Sequence, residues 1–168
     1  LDYHGTMRNY RNAKARLFNT GQLKGSVVNL DDAFGAELAG QVLERKTPLL
    51  GYGFNRTLPS TLRGRRVPRL IGRGLEMGPD GLAFEVATPW GETQITSPLV
   101  GRFNASNLLA TLGVLLASDH PLDAATAALQ KVKPVPGRTE RYGGGRNPLV
   151  VVDYAHTPDA LENVLRSL

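Results

Sequence analysis

The chain has no cysteine, which excludes disulfides and thiolate metal sites and is compatible with a reducing compartment. Aromatic residues make up only 7% of it, with a single Trp, so it has little with which to stack successive bases of a nucleic acid. No apolar run approaches the length of a membrane span, and no signal-peptide pattern opens the chain. No GxxxxGK[ST] phosphate loop occurs in it. His4, His120 and His156 lack metal-ligand spacing, and the serines lack partners for nucleophilic catalysis. There is no internal repeat.

What is present suffices for one domain with a real core, at 168 residues. A Leu at position 1 and a helical pattern running into Leu168 lead to the expectation that this is a piece of something longer. The net charge of +5 invites a nucleic-acid reading. Much of that charge sits in Arg63, Arg65, Arg66, Arg69 and Arg73, spaced by Gly and Pro without a period. The segment is expected to be a solvated loop, and attraction to an anionic small substrate fits the charge equally well.

The most informative stretch runs from Leu149 to Leu161. Leu149-Val150-Val151-Val152 reads as a short strand buried on both faces of a parallel sheet. Asp153 then sits at the strand's carboxyl end, where open α/β sheets bind ligands. Thr157 and Pro158 follow as a helix N-cap and first helical residue. The local pattern leaves Asp153 open between a ligand contact and a cap for its own turn.

Upstream, a helix is expected over about 7–18. Strand Ser26–Leu30 follows, then Asp31 or Asp32 as cap, and a helix with Phe34, Leu38 and Val42 four apart. Leu49–Tyr52 reads as another strand, and this alternation predicts a parallel α/β sheet. Residues 82–87 alternate with strand period and return through Pro89-Trp90-Gly91 as a hairpin. Helices are predicted over Asn104–Ala117 and Asp123–Val132, the latter stopped by Pro134 and Pro136. Gly143-Gly144-Gly145 reads as a linker.

Three groups of residues invite a chemical reading. Lys14 shares a helix face with Met7, Tyr10, Leu17 and Phe18. Burial there would favour the neutral amine, which can take up carbon dioxide as a carbamate and bind Mg²⁺; the alternative is a snorkelling side chain. Asn104 and Asn107 lie one turn apart, with Thr111 on the same face. They could meet an adenine edge, or serve as an N-cap and a first-turn polar residue. Arg138 could touch a nucleotide, and Glu140 could pair with Arg138 or Arg141.

Taken in order, these segments resemble the Mur ligases, most closely the UDP-N-acetylmuramoyl-tripeptide synthetase branch. The resemblance rests on Leu1-Asp2-Tyr3-His4-Gly5, Ala13-Lys14, Asn29-Leu30-Asp31-Asp32, Gly101-Arg102-Phe103-Asn104-Ala105-Ser106-Asn107, Gly137-Arg138-Thr139-Glu140 and Val151–Leu161. The first and last segments are specific, whereas each of the others is weak by itself. Thr6 replaces an acidic residue, and Leu30 a common Ala, of the family pattern.

The resemblance implies an α/β fold: the C-terminal portion of a P-loop-type central ATPase domain over 1–142 and a Gly-rich hinge over 143–148. The first strand and helix of a Rossmann-like domain would fill 149–168. It implies ATP-dependent amide formation through an acyl phosphate, with UDP-MurNAc-L-Ala-D-Glu as the acid and meso-diaminopimelate or L-lysine as the amine. Lys14 would be the catalytic, carbamylated lysine holding Mg²⁺, Asn104 and Asn107 would lie near adenine, and Arg138 and Asp153 would contact the nucleotide, with His156 beside them. It further implies a cytoplasmic monomer with no nucleic-acid or membrane partner. The phosphate loop and most UDP-sugar contacts would lie upstream and the amino-acid pocket downstream, so the chain by itself is expected not to turn over. The competing readings are another Mur or folylpolyglutamate-type amide ligase, and a basic RNA-binding module around Arg63–Arg73.

Overall fold

The computed structural model describes residues 5–21, 23–78 and 80–166. The motif residues Leu1 to His4 lie outside them. Helix α1 (Met7–Phe18) begins where the Asn9 N–H donates to Thr6 Oγ1 at 3.2 Å. Strand β1 (Ser26–Asn29) leads into α2 (Ala33–Glu44), whose N-cap is Asp32, its Oδ2 accepting from Gly35 N at 3.1 Å. Asp31 does something else: its carboxylate accepts from the N–H groups of Phe54 at 2.7 Å and Asn55 at 3.1 Å. It thereby ties the end of β1 to the turn after β2 (Leu49–Gly53).

The main sheet has the order β1-β2-β3-β4-β5. Strands β1, β2 and β3 (Arg69–Gly78) are parallel; β4 (Gly81–Thr88) and β5 (Gly91–Ser97) continue it antiparallel. Adjacent residues of β1 and β2 serve opposite faces, as a doubly covered sheet requires. Val28 and Leu49 pack under α2, while Leu50 packs under α3 (Arg102–Ala117) with Val27 against it. The hairpin β4–β5 is covered on one face by α3 and α4 (Leu122–Leu129), burying Leu82, Phe84, Val86 and Ile95.

Three expectations are corrected. Arg69 and Arg73 lie on strand β3, not in a loop. The apolar alternation fails at Gly72 because the Phe54 ring occupies the space a Cβ there would need. Helix α3 is capped by Gly101, not Asn104. Helix α4 ends at Leu129, short of the prolines.

The Gly run does not link two separate elements. Strand β6 (Glu140–Gly143) pairs antiparallel with β7 (Leu149–Val152), and the glycines form the turn between them. Gly143, Gly144 and Gly145 have φ of 81°, 93° and 65°, which side-chain-bearing residues rarely adopt. Consequently β7 is not a parallel strand buried on both faces: Leu149, Val150 and Val152 are exposed. Helix α5 (Pro158–Arg166) starts as expected, with Ala160 N–H donating to Thr157 Oγ1 at 3.3 Å. No described helix is long and apolar enough to cross a membrane.

Candidate functional site

A cleft of about 570 Å³ opens between the first turns of α3, the segment 132–139, the turn after β7, and α5. Its wall contains Asn104, Asn107, Arg138, Asp153 and His156. Residues up to 52 positions apart are thus gathered at one place.

On α3, Asn104 Nδ2 donates to the Val100 carbonyl at 2.8 Å, which fixes the amide plane and leaves Oδ1 toward Asn107 Nδ2 at 3.5 Å. Thr111 Oγ1 donates to the Asn107 carbonyl at 2.9 Å. The carboxamides therefore stand side by side on the cleft wall and can present a donor and an acceptor to a ring edge.

Arg138 does not pair with Glu140. Its guanidinium lies 4.9 Å from the centre of the Tyr154 ring. Glu140 instead accepts from Gly137 N–H at 2.8 Å and from the Tyr142 hydroxyl at 2.6 Å. Those two hydrogen bonds hold its carboxyl below the ordinary range, the tyrosine's first, and the same contact pushes the Tyr142 phenol up. The His156 ring meets Tyr154 edge-on at 5.4 Å, and its Nδ1 lies 3.1 Å from the Tyr154 carbonyl.

Asp153 caps its own turn and is tied to Thr139 as well. Oδ1 accepts from Ala155 N–H at 2.7 Å, which is the turn cap. Oδ2 accepts from Thr139 N–H at 2.8 Å and Thr139 Oγ1 at 3.2 Å. A carboxylate offers about four acceptor sites, so one remains, on Oδ1.

Lys14 stands apart from the cleft. It is exposed, its Nζ 5.4 Å from the centre of the Tyr10 ring. The expected burial is corrected for a simple reason: α1 has no buried residue, and Met7, Tyr10 and Leu17 on the same face are exposed as well. The described residues contain no group of three or more His, Asp or Glu able to hold a metal ion. They do not by themselves form a Mg²⁺ site. Sequence reasoning missed Phe103, Lys133 and Tyr154, which also line the cleft. The first and last lay inside segments already singled out, whereas Lys133 follows a helix end with no pattern to mark it.

The carboxyl end of the parallel strands is crowded in its own right. The Tyr52 phenol is pushed up chiefly by burial, with Asp31 and Asp32 adding to the effect and a hydrogen bond with Ser106 opposing it.

A mixed sheet whose parallel half is covered on both faces, beside a largely apolar cleft into which carboxamides, a guanidinium and a carboxylate project, defines an α/β domain with a cleft of the small-ligand type. Residues 1–115 match the Mur ligase middle domain, and the chain belongs to that family. It is 44% identical over its whole length to UDP-N-acetylmuramoyl-L-alanyl-D-glutamate--2,6-diaminopimelate ligase of Chromobacterium violaceum, covering 32% of that protein. The protein of the same name from Pseudomonas syringae pv. tomato is 47% identical over 168 residues, with 32% of it covered. The chain thus spans about a third of the length of these relatives.

A solved structure of a ligase with that same name superposes on 99% of the chain with a TM-score of 0.75 at 33% identity, the match covering 32% of that structure. MurF from Acinetobacter baumannii gives a TM-score of 0.79 at 19% identity, covering 98% of this chain and 34% of its own, a likeness of fold alone.

Proposed function

We propose that this chain is the nucleotide-holding part of an ATP-dependent ligase that joins meso-diaminopimelate to UDP-MurNAc-L-Ala-D-Glu. The observation that carries the reading is the gathering of Asn104, Asn107, Arg138, Asp153 and His156 around one cleft. The names of relatives at 42–47% identity support diaminopimelate over L-lysine as the amine.

In this reading the Asn104 and Asn107 amides meet the adenine edge, Asp153 accepts from a ribose hydroxyl, and Arg138 leaves Tyr154 to meet phosphate oxygens. The substrate carboxylate attacks the γ-phosphorus of ATP and ADP leaves, giving an acyl phosphate; the amine then attacks the acyl carbon, loses a proton and expels inorganic phosphate. Orientation and charge neutralisation are what the protein must supply for such a transfer. Mg²⁺ would supply charge neutralisation at the transferred phosphate, and Lys14 could give it one oxygen ligand as a carbamate only where the rest of the intact ligase covers the exposed face of α1. We propose a domain boundary within this chain, with the β6–β7 hairpin and α5 on its far side, because β6 pairs with β7 across the Gly turn. The intact ligase would act as a cytoplasmic monomer.

The test is ADP release by the full-length gene product. Release should require ATP, UDP-MurNAc-L-Ala-D-Glu and meso-diaminopimelate together, with L-lysine far poorer. Asn107→Ala should raise KM for ATP severalfold while leaving KM for the amine unchanged. Turnover that ignores the UDP-dipeptide would overturn the assignment.

A further inference from the structure

Thr139 is a β-branched residue held at φ 48° and only 5% exposed. Such a residue seldom enters the left-handed region unless its surroundings over-determine it. The turn before it is locked by Gly137 N–H on Glu140 Oε2 at 2.8 Å and by Arg138 N–H on the Val135 carbonyl at 3.0 Å. In that conformation the Thr139 N–H and hydroxyl both reach one oxygen, Asp153 Oδ2, at 2.8 and 3.2 Å. Sequence gave no hint of this, because the partners are 14 positions apart on either side of a hairpin turn.

We propose that Thr139 is a positioning residue that presets the Asp153 carboxylate to take one ribose hydroxyl. The inference rests on the reading of Asp153 as a nucleotide contact and adds the device that aims it. With Oδ2 occupied twice by Thr139 and Oδ1 once by Ala155, rotation about the Asp153 Cβ–Cγ bond is blocked. The remaining acceptor site on Oδ1 is then fixed in direction. Preorganisation of this kind raises both affinity and selectivity, since no freedom is lost on binding. Removing the Thr139 hydroxyl leaves a spare acceptor on Oδ2 and lets the carboxylate turn.

The experiment measures the binding of ATP against 2′,3′-dideoxy-ATP, which lacks both ribose hydroxyls, to the full-length gene product and its variants, with thermal melts alongside. The unaltered protein should prefer ATP by about tenfold or more, the worth of a hydrogen bond to a charged group. Asp153→Ala should bring the ratio near one, and Asp153→Asn, which keeps the side-chain shape, should lower it if the Ala variant folds poorly. Thr139→Val, nearly isosteric, should cut the ratio severalfold, and Thr139→Ser should restore it. A full ratio in Thr139→Val, even at a lowered Tm, would make Thr139 a structural tether only and overturn the inference while the Asp153 reading stands. No preference in the unaltered protein, or a preference that survives both Asp153 variants, overturns the two together.

Discussion

Asp31 and Asp32 are chemically identical neighbours with unlike tasks. One bridges to the backbone after β2, and the other caps α2. Their charges also bear on Tyr52, whose phenol is raised by burial first and by these carboxylates next. A folded-state value above the unfolded one means that the full stability is present below the unfolded tyrosine pKa, about 10. As pH climbs beyond it, the unfolded chain loses its proton first and stability falls until the folded phenol also ionises. Tyr52→Phe removes this titration. At about pH 8 the stability of the unaltered protein minus that of the variant gives the reference gap. Between pH 9.5 and 11, roughly the window around the unfolded pKa, the gap should fall. Urea midpoints across that range decide it, and a gap that rises with pH would contradict the assignment.

At the level of elements, the long connection from β2 to β3 behaves as part of the core. Its 3₁₀ turn (Ser60–Leu62) inserts Leu62, 0% exposed, beneath α2 beside Val28, Leu30 and Val42. Leu62→Ala should therefore cost about 2–5 kcal/mol, as for any buried leucine, and lower the urea midpoint accordingly; Arg63→Ala next to it should change little. Helices α1 and α2 and the β4–β5 hairpin were legible because their apolar residues follow one clear period. Strand β3 was not, since Phe54 fills the place of an apolar side chain at Gly72 and charged residues flank it. The Gly turn read as a linker because composition reports backbone freedom, and hairpin turns and linkers demand the same freedom. Of the site, Asn104, Asn107, Arg138, Asp153 and His156 were readable through motif order, whereas the Thr139 tether needed three-dimensional pairing.

The molecule as a whole is stabilised unevenly. Phe84, Ile95, Leu109 and Leu112 are fully enclosed where sheet meets helices. Leu17 on α1, Val150 on β7 and Leu165 on α5 are 63%, 54% and 62% exposed. Elements with few buried apolar contacts open at lower free energy than those in the core. Amide hydrogen exchange should accordingly be slowest in β2, β4 and α3 and fastest in α1, β7 and α5. The candidate cleft lies across this boundary, with α3 on the stable side and residues 138–156 on the labile one. A ligand that binds the assembled cleft, and not the opened one, must stabilise the labile side by mass action. Saturating ATP should therefore slow exchange at Thr139, Val152 and Ala155 more than in β4, whose amides are already protected. If ATP slowed exchange in α1 and left the residues from Thr139 to Ala155 unchanged, the nucleotide would be bound elsewhere than in this cleft.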